Sequence, residues 1–351
     1  MNNKFVRTTV NVISMLIPLV TFALVIIIVL RSLEYRYEID KYEEYYFTID
    51  SKESTVVETS YNNEEYTVDK DIKVSEYVSC LNRQFTYDEL SDDIKLSIKT
   101  LENLYNSSYN YFAFKYVDIY TGFTISYNEN QEIFTASTIK APEAIYLYEM
   151  AEEGKVNLDD RITYTQGYYN TGSGILKNTS FNKSYTTREL ISYAIIHSDN
   201  AAHNMLMDRY GRINMYNFWS EKGTKSIFRT NNNWGVTNAN DASIYMLELY
   251  RYYNTDTQLS NELMDNFINV IFKPLSGRDG KKNTANKSGW TGSVFHDAAI
   301  VFDDNPYVLV VLSNTGGNYS YLFDLTSKLV SNIHRSYWDY KYNECIKIIS
   351  R

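Results

Sequence analysis

Residues 10–30 (VNVISMLIPLVTFALVIIIVL) carry no charged side chain. At about 1.5 Å of rise per residue, a helix of that length spans the roughly 30 Å hydrocarbon core of a bilayer. Pro18 would kink such a helix without preventing insertion. A cleaved signal peptide has a shorter apolar region and a small-residue cleavage site, whereas this run ends in Arg31-Ser32-Leu33-Glu34. The expectation is therefore an uncleaved transmembrane anchor. Lys4 and Arg7 precede it in a short tail, which the positive-inside rule keeps in the cytoplasm. Residues 1–9 are then a cytoplasmic tail, and the remainder is extracytoplasmic: a single-pass type II protein of the cell membrane.

The rest of the chain divides by charge. Residues 31–85 hold 13 acidic and 7 basic side chains and read as an acidic stalk or small module. The whole chain sums to −9, so it lacks the basic footprint needed to grip phosphate backbones, and nucleic acid is excluded as a partner. Cys80 and Cys345 lie far apart and the four histidines form no close pair, so neither a metal centre nor a cofactor is implied. Nothing in the composition sets an oligomeric state.

From residue 86 the periodicity sharpens. Ile94, Ile98, Leu101 and Leu104 have helical spacing, with Ser91 placed as an N-cap. Residues 111–118 and 123–127 predict two strands around a Thr121-Gly122 turn. The stretch from 137 to 271 is mostly helical in pattern, including a Thr186-x-x-Glu189 capping box and a helix end at Gly211. Strand signals return at 285–290, 294–302 and 307–312, followed by an amphipathic helix over 319–338 and a short tail, 339–351. Strands at both ends with helices between predict a two-lobed α/β domain over 86–338. It would have an antiparallel sheet flanked by terminal helices, plus an inserted all-helical lobe, with a ligand cleft between.

Three short motifs occupy that domain in order, roughly 60 and 90 residues apart: Ser137-Thr138-Ile139-Lys140, Ser198-Asp199-Asn200 and Lys287-Ser288-Gly289. Residues at i and i+3 share a helix face, so Lys140 can reach the Ser137 hydroxyl, and a buried lysine can activate a serine nucleophile. Each motif alone reads equally well as a helix cap, a solvated charge or a helix start. Their order and their placement on a helix start, an interhelical loop and a strand do not.

The trio resembles that of the class A β-lactamases and penicillin-binding proteins. The flanking Phe134-Thr135-Ala136 and Asn200-Ala201-Ala202-His203-Asn204 agree. The resemblance implies a serine hydrolase of the β-lactamase-like family, forming an acyl-enzyme through Ser137 with a β-lactam or a peptidoglycan peptide. By the same resemblance Lys140 activates Ser137 and Ser198 relays a proton to the departing nitrogen. Asn200 meets a substrate amide, Lys287 and Ser288 hold a carboxylate, and Gly289 lets substrate lie against the strand. The amides of Ser137 and Trp290 form the oxyanion hole. Peptidase action on D-Ala-D-Ala and a non-catalytic surface receptor are the alternatives.

The chain also departs from that pattern. Relatives carry a loop glutamate that positions the hydrolytic water, but residues 230–241 contain none; Glu221 lies too early, Glu248 inside the next helix, and Asp241 suits helix N-terminal charge complementation. Slow deacylation is therefore expected. Phe295-His296-Asp297 stands where many relatives place a carboxylate-binding arginine, with His296 a possible substitute, and Tyr168 or Tyr169 is a candidate gate. The resembled fold brings the chain ends together, which leaves Cys80 and Cys345 either as a disulfide or as two free thiols.

Overall fold

The computed structural model describes residues 77–106, 112–226, 233–277, 280 and 283–349. The expected anchor at 10–30 and most of the acidic stretch lie outside them. Among the described residues no helix is long and apolar enough to cross a membrane.

A five-stranded sheet has the order β2-β1-β9-β8-β7, antiparallel throughout. Its strands are β1 (Phe112–Asp118), β2 (Thr124–Tyr127), β7 (Thr284–Trp290), β8 (Phe295–Val301) and β9 (Tyr307–Ser313). Strands from the two ends of the domain thus meet at the β1–β9 pairing. Side chains alternate across the pleat. Phe112, Phe114 and Tyr116 point to the face covered by helices α1 (Asp92–Asn106) and α8 (Tyr321–Ile349), where Tyr105 of α1 packs on Phe112 and Phe114 and His334 of α8 packs on Tyr116. Ala113, Val308, Val310 and Leu312 point the other way, into a core shared with the helical lobe. The hairpin turn is fixed by buried Asp118, which accepts from Thr121 N at 2.7 Å and from Trp338 Nε1 at 2.7 Å.

The helical lobe contains α2 (Lys140–Glu152), α3 (Thr187–Ile196), α4 (Asn200–Tyr210), α5 (Arg212–Glu221), α6 (Ala239–Tyr253) and α7 (Gln258–Ile268). Nearly every residue of α2 is buried, which makes it the central helix. The expected capping box starts α3, with Glu189 N donating to Thr186 Oγ1 and Thr186 N to Glu189 Oε2. Helix α4 stops at Gly211, which adopts φ +74°.

Three expectations need correction. The lobe is not all helical, because β4 (Arg161–Tyr164) pairs with β5 (Lys183–Thr186); strands of four residues are too short to stand out from a helical background. Helix α8 does not end near Trp338 but runs to Ile349, so 339–349 is no tail. Its partner is the segment before residue 86. Lys341 is fully buried, with its ammonium 4.2 Å from the Phe85 ring centroid, and Phe85 packs edge-on against Tyr337. A Cys80–Cys345 disulfide joins them, with Cα atoms 5.7 Å apart. Residues 77–85 therefore belong to the folded unit rather than to a stalk.

Candidate active site

A two-stranded ribbon sets the nucleophile turn. β3 (Ile133–Phe134) pairs with β6 (Val236–Thr237), and Thr135 donates its hydroxyl to Trp234 O, tying the turn to the loop before β6. Ser137 follows in a tight 3₁₀ turn, Ala136–Ile139, that runs into α2. Among the described residues five non-glycine positions have positive φ; three are Asn or Asp, which tolerate it, and the other two are Ala136 (+45°) and Ser198 (+53°). Backbone strain outside the tolerant residue types thus falls only at these two motifs, among the described residues.

The structure brings Ser137, Lys140, Ser198, Asn200 and Lys287 together. Lys140 is fully buried, with Nζ 3.0 Å from Ser137 Oγ, 2.7 Å from Ser198 O, 2.7 Å from Asn200 Oδ1 and 3.3 Å from Ser198 Oγ. Hydrogen counting gives these distances a meaning. Ser198 O and Asn200 Oδ1 can only accept, so they take two N–H groups. An ammonium keeps a third N–H for Ser137 Oγ, whereas a neutral amine has only these two and turns its lone pair to the serine hydroxyls. Burial pushes Lys140 well below the ordinary lysine range; the charge of Lys287 acts in the same direction, against Glu143 and Asp199. Burial and the charge of Lys287 both favour the neutral amine, the form able to take the Ser137 proton.

Lys287 Nζ donates to Ser198 Oγ at 3.1 Å and to Ser288 O at 3.0 Å, so the Ser198 hydroxyl sits between two amines. Burial brings Lys287 down to about 7, opposed by Asp297. Asp199 is structural: it caps α4 through Ala202 N and accepts from Ile175 N and Leu176 N. The cleft above Ser137 has a volume of about 310 Å³. Phe134, Trp234 and Trp290 give it aromatic walls, Asn200, Gly172 and Ser173 form another side, and among the described residues no charged side chain lines it.

The structure gives several expected residues partners of their own and corrects the readings of His296, Tyr168 and Tyr169. Gly289 is required by the nucleophile turn itself, because a Cβ there would lie 2.8 Å from Thr135 O and 3.0 Å from Ser137 N. Ser288 Oγ donates to Phe272 O at 3.2 Å, and Asn200 Nδ2 to Asn170 Oδ1 at 3.2 Å. His296 cannot stand in for an arginine: it is fully buried, bonded to Phe134 O and Ser313 N, and held by burial at about 4. Neither Tyr168 nor Tyr169 lines the cleft, and Tyr168 instead donates to Asp208. Glu248 is occupied by Lys222 and Arg251, and Asp241 by Lys225 N and Ser226. Sequence reasoning missed Phe134 and Trp234 as walls, and it missed Glu143 and His203, a buried pair one turn behind the lysine.

A sequence model described as the "Beta-lactamase enzyme family" matches residues 96–337. The chain belongs to the beta-lactamase enzyme family. Its fold is similar to PBP-A, solved alone and as an acyl-enzyme with penicillin G; against that acyl-enzyme, at 22% identity and TM-score 0.61, the similarity covers 69% of this chain and 97% of that one. A β-lactamase from Sphaerobacter thermophilus is similar at 17% identity and TM-score 0.58, over 68% of this chain and 95% of that one. An ancestral class A β-lactamase gives 20% and 0.56, over 69% and 99%. No curated protein sequence matches significantly. In this chain the three motif segments converge beside one cleft.

Proposed function

We propose that this chain is a membrane-anchored, extracytoplasmic serine hydrolase that forms an acyl-enzyme with β-lactams or related amides and deacylates slowly. The observation that carries the reading is the buried Lys140 Nζ, anchored on Ser198 O and Asn200 Oδ1 and lying 3.0 Å from Ser137 Oγ. Ser137 Oγ attacks the amide carbonyl as its proton passes to Lys140. The backbone N–H groups of Ser137 and Trp290 stabilise the oxyanion, at a point where β7 lies tight against the nucleophile turn. The C–N bond breaks as Ser198 passes a proton to the leaving nitrogen, with Lys287 behind it. Lys287 and Ser288 receive a substrate carboxylate, and Asn200 a side-chain amide, after exchanging their present partners.

Hydrolysis of the resulting ester needs a base for water. No carboxylate lines the described cleft, and loss of one positioned base costs about 10²–10⁴-fold. The same absence supports a penicillin-binding D,D-peptidase as the second reading. The charge-free run at 10–30 supports the anchor. Intact mass of the full chain, followed over time with penicillin G, tests the proposal. The expected result is a persistent adduct that Ser137→Ala abolishes; rapid ring opening without an adduct refutes slow deacylation, and neither adduct nor ring opening refutes the β-lactam reading.

A further inference from the structure

Helices α2 and α4 each begin with a catalytic motif, and they are joined twice. The first rung is Lys140 to Asn200 at 2.7 Å. The second lies one turn further along both helices, where His203 Nδ1 meets Glu143 Oε2 at 2.8 Å. Each residue of the second rung follows its counterpart by three positions, so the two rungs stack on one face. Glu143 is 3% exposed and His203 fully buried. Such a carboxylate is costly to bury, more so because its Oε1 has no hydrogen-bond partner.

Protons can be counted here too. His203 Nε2 faces Asn233 O at 3.3 Å, and a carbonyl only accepts, so Nε2 carries a hydrogen. One further proton lies between Nδ1 and Oε2. The pair is either imidazolium with carboxylate or imidazole with carboxylic acid, and its net charge is zero in both. The His203 ring also packs on Trp234 at 4.8 Å, while the Lys140 ammonium position lies 5.3 Å from the same indole. The pair therefore touches the loop and the helix that together enclose the lysine.

We propose that Glu143 and His203 form a positioning pair for Lys140, which holds the lysine against Asn200 and sets the protonation state it presents to Ser137. The inference rests on the reading of Lys140 as the base for Ser137. When Lys140 gains the serine proton, the shared proton moves from Glu143 Oε2 to His203 Nδ1, and a carboxylate charge then faces the new ammonium one turn away. No net charge enters the buried site from the pair. The other charged groups acting on Lys140 are Lys287 from β7 and Asp199 from the loop before α4; neither has a proton-sharing partner of this kind.

The test is the titration of Lys140 itself, read from its ¹³Cε resonance in lysine-labelled full chain and assigned with Lys140→Arg. Coulomb's law at an effective dielectric near 20, with the imidazolium beyond the carboxylate offsetting most of its charge, gives a shift of about half to one pH unit. Glu143→Gln should lower the Lys140 midpoint by about that amount and carry the acid limb of penicillin acylation with it, while Glu143→Asp restores both toward wild type. A double variant, Glu143→Leu with His203→Phe, removes both polar partners in similar volume and serves if the glutamine variant does not fold. A midpoint and acid limb that stay within about 0.2 unit of wild type overturn the proposal. If wild type is not acylated at all, the base reading of Lys140 falls, and the resonance titration still decides the electrostatic role of the pair.

Discussion

Removal of the Cys80–Cys345 bridge should cost stability without touching the cleft. The bridge closes a loop of 265 residues. In the chain-entropy account, a cross-link of that span restrains the unfolded ensemble by about 5.6 kcal/mol at 25 °C. That figure is a ceiling, since a reduced unfolded chain is already more compact than a random coil. Native contacts next to the bridge persist without it, because Phe85 stays between Tyr337 and Tyr340 and Lys341 still donates to Arg83 O. The expected loss for Cys80→Ala with Cys345→Ala is therefore about 2–4 kcal/mol. Equilibrium urea unfolding measures it as a lower midpoint together with a steeper slope, because the uncross-linked chain exposes more surface. Acylation of Ser137 below the transition should match wild type. A loss under about 1 kcal/mol with an unchanged slope would refute the entropic reasoning, and lost acylation at unchanged stability would show that the bridge orders the cleft.

Other expectations concern the site. Gly289→Ala should destabilise by about 1–3 kcal/mol and slow acylation at least tenfold, because the new methyl meets backbone atoms that cannot rotate away; thermal melts should find Gly317→Ala, which opens onto empty space, close to wild type. Lys287 stands near 7 when folded, against roughly 10.5 for an exposed lysine. The folded chain thus binds fewer protons than the unfolded one between those values, so the Lys287 contribution to stability grows as pH rises through that window and is lost as pH falls through about 7. Lys287→Met should flatten that part of the stability–pH curve, and an unaltered curve would sink the assignment. Trp290 is 65% exposed on the cleft wall; Trp290→Ala should leave the melting temperature within about a degree but weaken encounter with aromatic acyl donors several-fold in acylation kinetics.

What could be read in advance was local. Each motif is a short string whose residues are neighbours in the chain, and the turn, interhelical loop and strand that carry them follow from capping and periodicity. The β1–β2 hairpin, the capping box at Thr186 and the Gly211 stop have the same local origin. What escaped depends on contacts between distant segments. Phe134 and Trp234 become walls only because β3 pairs with β6, some hundred residues on. Glu143 and His203 look like unremarkable helix positions until α2 and α4 are set side by side. Helix α8 continues past Trp338 because residues 77–85 cover it, a partner no window on that helix contains. His296 was placed in the right strand, yet both faces of that strand are covered and its ring is taken up by Phe134 O and Ser313 N.

The β1–β9 pairing has a consequence for how the protein is made. Phe112 has Ser313 as its partner across the sheet. At a synthesis rate of about 5–20 residues per second, the hairpin of β1 and β2 waits roughly 10–40 s for the strand that completes its sheet. During that interval the apolar faces of Phe112, Phe114 and Tyr116 have neither β9 nor α8 to cover them. A nascent chain of this topology is therefore a client for holding factors until its last hundred residues arrive, and truncations within α8 should aggregate rather than fold into a smaller domain.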